Sequence, residues 1–375
     1  MIAPLPQSAA ELAGLPRWWR VDVPTEIVIG ACGVDTVFDL IASRGVRPFF
    51  VIDAALRDQP DFARVFRQKD VFVFNASYSE VRTGDVDALV ALLRDWRRDD
   101  ATLIGIGGGS TMDLAKAAGI CYANPLRAQD YQGYGMDMAR GLDVWTVPAL
   151  NGTGAELTPI AVMRGPEKKL GINNPLAAAR VAAIDPRLSK GAPAFNRFYT
   201  MMDCYFHHYE ISKSRTSSAD AIADSLDGLE LSRLVLSHDL AAWDEGLATA
   251  SVMASVLGGT SSTGGRVGAA HAISYGLSNS APFLPHSVAV TLAMLALKDV
   301  YPDGYAETLR FLELNGRPLP AARDYGLGPD DIPAMTKTAL GMEKLWQSCF
   351  GPERWKETAT PEWIASIYET IVGSR

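Results

Sequence analysis

The strongest constraint on this chain lies at residues 102–106, a strand-length apolar run that stops on Gly107-Gly108-Gly109-Ser110 and continues as a helix-like segment through Ala118. Three residues without side chains let the backbone turn sharply and approach a ligand closely. The N–H groups that open the following helix then face an anion, which suits a pyrophosphate. Glycines there could also form a tight turn and nothing more, so the flanking elements decide. Residues 25–29 read as a strand ending at Gly30, 35–42 as a helix, 48–52 and 71–74 as strands, 86–97 as a helix, and 144–148 and 180–184 as further strands. Such alternation implies a parallel sheet covered on both faces.

From about Pro193 the grammar changes: strands are hard to find, while residues 216–238, 240–257 and 288–298 carry helical periodicity. With 375 residues, the chain exceeds what one core usually organises. We therefore expect an α/β Rossmann-like nucleotide-binding domain over 1–190 and an all-helical metal- and substrate-binding domain over 191–375. A net charge of −8 argues against nucleic acid, which needs a clustered basic surface. The basic runs Arg94-Asp95-Trp96-Arg97-Arg98 and Lys168-Lys169 are short, and the first reads as one solvated helix face. Cys32, Cys121, Cys204 and Cys349 form no CxxC pair, and no uninterrupted apolar run of about 20 residues is present, so a cytoplasmic protein without a membrane span is expected.

Two sets of residues carry chemistry. Asp53, at the end of the second strand, could accept both adenosine ribose hydroxyls and repel a 2′-phosphate, favouring NAD over NADP; the alternative is a strand-end aspartate capping the next turn. Of only five histidines, His207 follows Asp203 by four residues in a helical segment, so the two can close on one ion. His271 and His286 sit among small and apolar residues, where an unpaired imidazole is poorly placed. His208 points away from its neighbour and reads as a supporting or core residue, and His238 as a surface or helix-end one.

The stretch GGGSTMDLAK at 107–116 closely resembles the GGGSxxDxAK signature of the iron-containing (group III) alcohol dehydrogenases, a family of the dehydroquinate synthase-like superfamily. The order DxxxH, a histidine some sixty residues on and another about fifteen later is similar to that family's metal-ligand order. The resemblance implies that Gly107, Gly108, Gly109 and Ser110 wrap the diphosphate of NAD(P), that Asp113 lies near the nicotinamide ribose, and that Lys169 reaches the cofactor ribose. It also implies Asp203, His207, His271 and His286 as ligands to one divalent metal, for which Fe(II) and Zn(II) both suit the donor set. Two departures stand out. The threonine pair after Pro148 is replaced by Ala149 and Leu150, leaving Asn151 and Thr153 as nearby polar groups. Tyr275 stands where many members carry a histidine thought to relay the substrate proton; a phenol of ordinary pKa near 10 is a poorer base, and the residue could instead pack beside the metal.

Four stretches, NGTGAE at 151–156, GPEKKLGINN at 165–174, FYTMMDCYFHHYE at 198–210 and GAAHAISYGLS at 268–278, look like the 3-deoxy-manno-octulosonate 8-oxidase branch. That resemblance implies oxidation of the terminal alcohol of a sugar acid to an aldehyde, with an aminotransferase acting next. The carboxylate of such a substrate needs a cation, for which Arg266 and Arg164 are candidates beside their ordinary reading as salt-bridge partners. Two rival functions share the scaffold: a sugar-phosphate cyclase of the dehydroquinate synthase type, which usually carries a glutamate where this chain has Asp203, and a non-catalytic binding member. A homodimer is the expected assembly.

Overall fold

The computed structural model describes residues 25–30, 33–75, 80–152 and 154–373; Cys32 and Thr153 lie outside them. The α/β part is built on a six-stranded sheet of β1 (Glu26–Ile29), β2 (Arg47–Asp53), β3 (Val71–Phe74), β4 (Ala101–Gly107), β6 (Val144–Pro148) and β9 (Val181–Ile184), in the order β1-β9-β6-β4-β2-β3. Every pairing in it is parallel. Central strands of such a sheet are covered on both faces, so all seven residues of β4 are buried. Alternation sorts the side chains of β2: Phe49 and Val51 enter one core cluster, Phe50 and Ile52 the other.

Helices α1 (Val34–Arg44), α2 (Thr83–Asp95) and α3 (Gly109–Tyr122) provide crossovers. The second begins earlier than its periodicity suggests, because Asp85 accepts from the Arg82 N–H at 2.9 Å and fixes the first turn there. Helix α3 lies hard against β4: a Cβ placed on Gly105 would stand 2.8 Å from the Ala115 Cβ. A second sheet was not expected. Its strands β5 (Gly133–Tyr134), β7 (Ile160–Arg164) and β8 (Lys169–Asn173) run in the order β5-β8-β7, with β7 and β8 an antiparallel hairpin. Strands of two and five residues carry too little periodicity to be read as strands from the sequence.

Beyond Pro193 the described residues are helical: α4 (Ala194–Ser212), α5 (Ala219–Leu236), α6 (Glu245–Gly264), α7 (Ala269–Ser280), α8 (His286–Ala296), α9 (Pro302–Leu314) and four shorter or terminal helices up to Gly373. Caps set the starts that periodicity misplaces. Ser218 accepts from the Ala221 N–H at 3.2 Å, so α5 starts at 219 and not at 216. Asp244 accepts from the Leu247 N–H at 2.8 Å, so the helix expected over 240–257 instead spans 245–264. The chain forms two compact units, one running to Pro193 and including Asp244–Val252, the other comprising Ala194–Trp243 and Met253 onward. No described helix is long and apolar enough to cross a membrane.

Candidate functional site

In the α/β unit, β4 ends at Gly107, and no side chain caps α3, whose N-cap is Gly108. A Cβ on Gly108 would meet nothing within 4 Å, whereas one on Gly107 (φ +156°) would meet Thr111 Oγ1 at 2.8 Å and Asp53 Cβ at 3.0 Å. The loop is thus tight on the protein side and open at Gly108. Ala149 N–H donates to the Gly107 carbonyl at 2.9 Å, which lays the segment after β6 alongside. Two buried polar atoms nearby, Asn151 Nδ2 and Thr111 Oγ1, have no hydrogen-bond partner among the described residues. Buried donors are rarely left so in a protein that binds nothing there, and the loop fits a polar, phosphate-bearing cofactor.

Asp53 Oδ1 accepts from the Ala55 N–H at 2.9 Å and caps a short turn, the plainer of its two readings. Burial pushes its carboxyl up, and the bond from Ala55 opposes that. Asp113 faces the protein: one oxygen accepts from the Val162 N–H at 3.0 Å, and the other lies 2.9 Å from Lys116 Nζ. Lys116 is fully buried and also donates to the carbonyls of Ala155 (2.7 Å) and Ile160 (2.5 Å). Lys169, expected at the cofactor ribose, forms a buried ion pair with Glu80, which also takes Arg164 at 3.3 Å.

In the helical unit, α4 presents Asp203 and His207 one turn apart, α7 brings in His271 in its first turn, and α8 begins at His286. Ligand atoms of Asp203, His207 and His271 all lie within 4.8 Å of one another. His271 Nε2 is 3.5 Å from Asp203 Oδ1 and His286 Nε2 is 4.0 Å from it. Asp203 Oδ1, His207 Nδ1 and His271 Nε2 are buried without hydrogen-bond partners among the described residues. The His207 and His271 rings meet edge-on at 4.4 Å between centroids, and Tyr275 lies 6.4 Å from the His286 ring. His286 is more open than Asp203 or His271, its side chain 27% exposed against 7% for Asp203 and 3% for His271.

Electrostatics tie the cluster together. Burial pushes the Asp203 carboxyl up, but the imidazoles, His286 foremost, outweigh it and hold the group well below the usual carboxylate range. Burial, then the His271 charge, depresses His207 to about 4, leaving it a neutral donor with a free lone pair. Burial works against a charged His271 too, yet Asp203 and Glu210 overcome it and raise the group to about 9. In the protein alone a proton on His271 thus balances two buried carboxylates, the task a divalent cation performs when imidazole and carboxylate donors converge. Unpartnered donor atoms and surplus negative charge both fit a metal ion.

A sequence profile of the family described as iron-containing alcohol dehydrogenase matches residues 24–186. The chain is 28% identical over 291 residues to the NAD-dependent methanol dehydrogenase of Bacillus methanolicus, covering 72% of this chain and 75% of that one. It is 29% identical over 217 residues to the choline dehydrogenase of Bacillus subtilis, a match spanning about half of each, 55% and 52%. The crystal structure of sulfoacetaldehyde reductase from Bifidobacterium kashiwanohense in complex with NAD+ shares the fold, with a TM-score of 0.78 at 20% identity over 95% of this chain and 99% of that one. Over residues 24–186 the chain is thus similar to the iron-containing alcohol dehydrogenases.

The remaining candidate residues fall apart from the two constellations. His208 is wholly buried, with Nε2 3.0 Å from the Ala254 carbonyl, and belongs to the core. His238 is exposed just past the end of α5, its Nδ1 2.8 Å from the Leu234 carbonyl. Arg266 donates to the adjacent Gly265 carbonyl at 2.8 Å, and Arg164 is committed to Glu80. Three residues escaped the sequence reading. Lys116 was legible only as the last letter of a motif, and Glu80 carried no signal at all. Glu210 stood inside a quoted stretch, three residues after His207, where helical spacing could have marked it; it lies 2.6 Å from His271 Nδ1.

Proposed function

We propose that the protein is a metal-dependent, NAD-linked alcohol dehydrogenase that interconverts a primary alcohol of a sugar acid or polyol with its aldehyde. The observation that carries this reading is the convergence of Asp203, His207 and His271, each with a buried donor atom that makes no hydrogen bond among the described residues. When bound, a divalent ion supplies Lewis acidity that lowers the pKa of an alcohol, and NAD supplies the hydride acceptor. Asp203, with His207, His271 and His286, would hold the ion, and the one negative ligand charge keeps it electrophilic. Gly107, Gly108 and the start of α3 offer backbone to a diphosphate, with Asn151 Nδ2 and Thr111 Oγ1 as further polar groups. Asp53 disfavours a 2′-phosphate and so supports NAD over NADP.

The sugar-acid part of the reading rests on the four stretches between Asn151 and Ser278 that resemble the octulosonate 8-oxidase branch. The test is NAD reduction by purified protein reconstituted separately with Fe(II) and Zn(II), against simple alcohols, diols, sugar alcohols and eight-carbon sugar acids. Metal-dependent NADH formation that vanishes in His271→Ala is the expected result, with the sugar acid turned over best. No NADH with either metal overturns the dehydrogenase reading; NADH from simple alcohols only overturns the sugar-acid part.

A further inference from the structure

We infer that Glu210 is the positioning residue of the metal centre: it sets the tautomer of His271 so that Nε2, and not Nδ1, is the donor atom turned to the ion. This rests on the metal reading of the Asp203 cluster. Glu210 is 2% exposed and sits on α4, seven residues beyond Asp203 and three beyond His207. Its two oxygens have separate partners on α7. Oε2 lies 2.6 Å from His271 Nδ1, and Oε1 accepts from the Ala270 N–H at 2.7 Å. The neighbouring Ala269 N–H goes to the Tyr301 hydroxyl at 3.1 Å, so the opening N–H groups of α7 are met by side chains from outside the helix.

An ionised carboxylate can only accept, so Nδ1 must carry a proton, and the lone pair of the neutral ring then resides on Nε2. That is the atom left without a partner, 3.5 Å from Asp203 Oδ1. The same carboxylate therefore anchors the start of the helix that carries His271 and orients the ring at its first turn. A carboxylate behind a metal-bound imidazole also raises its basicity.

A purely structural role for Glu210, as an anchor for α7, makes a different prediction, and Glu210→Gln separates the two. The Ala270 N–H is an obligatory donor, so the Gln amide turns its oxygen to Ala270 and keeps the anchor. Its NH2 then faces His271 Nδ1, which must accept, moving the ring proton to Nε2 where the metal lone pair should be.

Zn(II) affinity of the full-length apo-protein is measured by competition with a chromophoric chelator. The inference expects a dissociation constant weakened about 10–100-fold in Glu210→Gln relative to wild type. Equal affinities, within about threefold, would overturn it. Wild-type protein that fails to bind Zn(II) would instead overturn the metal reading beneath it. A second measurement covers a variant that does not fold: in the wild-type Zn(II) protein, 15N-resolved histidine spectra should show His271 protonated at Nδ1 and metallated at Nε2. Metallation at Nδ1 refutes the inference.

Discussion

Replacing Lys116 by methionine removes an ammonium group that joins α3 to the segment preceding and opening β7. Its Nζ lies 2.9 Å from Asp113 Oδ1, 2.7 Å from the Ala155 carbonyl, 2.5 Å from that of Ile160 and 3.3 Å from that of Thr158. All of these bonds are made by a side chain with no exposure, so solvent screening does not discount them. Breaking a buried ion pair by deleting one partner costs about 3–5 kcal/mol, because the survivor is left buried and uncompensated. Asp113 is such a survivor: burial already pushes its carboxyl up, and Lys116 is the chief opposing influence. For a unit of 150–250 residues each kcal/mol shifts Tm by about 2–4 °C, so the expected fall is roughly 6–20 °C.

A double-mutant cycle tests the cause. In Asp113→Asn the amide oxygen keeps the bond from the Val162 N–H, which turns the NH2 toward the ammonium, two donors face to face. That single variant is expected to cost about 3 kcal/mol. In Lys116→Met/Asp113→Asn no charge remains and the Val162 bond survives, so the double variant should cost about 2–3 kcal/mol less than the two singles together. Calorimetry of the four apo-proteins measures this, and NAD titration of the same samples should show weaker binding in Lys116→Met, because the bonded carbonyls begin at Ala155, four residues after Asn151. Additivity within about 0.5 kcal/mol, or a Lys116→Met Tm within about 2 °C of wild type, would refute the argument.

Asp53→Asn keeps an acceptor for the Ala55 N–H but removes the charge, so the NAD over NADP ratio of kcat/KM should fall about tenfold, measured by steady-state kinetics with both cofactors. Gly105→Ala puts a methyl 2.8 Å from the Ala115 Cβ and should destabilise the protein by about 1–3 kcal/mol in urea unfolding; an unchanged midpoint would mean α3 can move off β4 freely. Burial pushes the Cys121 thiol up to about 12 and that of Cys349 up to about 11. Only the thiolate alkylates, so at pH 8 both should label with iodoacetamide far more slowly than a free thiol of pKa about 8.5, with rates that climb as pH rises; peptide mass spectrometry reads this directly.

The α/β alternation was legible because central parallel strands are buried on both faces and therefore run apolar without interruption, as in Phe49–Phe50–Val51–Ile52 and the fully buried β4. What escaped was set by side chains and not by periodicity. Ser218, Asp85 and Asp244 move helix starts by capping, a competition among neighbouring polar groups that a hydrophobic pattern does not register. The three-stranded sheet escaped for another reason. Its strand β5 has two residues and gains its place only by pairing with β8, some forty positions on, so nothing local defines it.

The site divides along the same line. Atoms that would touch a metal or cofactor belong to residue types whose burial needs a reason, such as His271 among alanines, and so they could be singled out one at a time. The atoms that support them could not, because each is defined by a partner distant in sequence: Glu210 and His271 are 61 residues apart, Glu80 and Lys169 are 89 apart, and Lys116 reaches Ile160 across 44. In the folded chain the two classes carry opposite marks. Asp203 Oδ1, His207 Nδ1, His271 Nε2 and Asn151 Nδ2 are buried without hydrogen-bond partners among the described residues, while Glu210 and Lys116 are buried with every described need met by protein. A buried group without a partner is costly, and a fold tolerates several in one place only where a ligand completes them. Substitutions at the first class should therefore be felt mainly in ligand affinity, and substitutions at the second in affinity and stability together, unless, as in Glu210→Gln, the replacement keeps one bond and inverts the other.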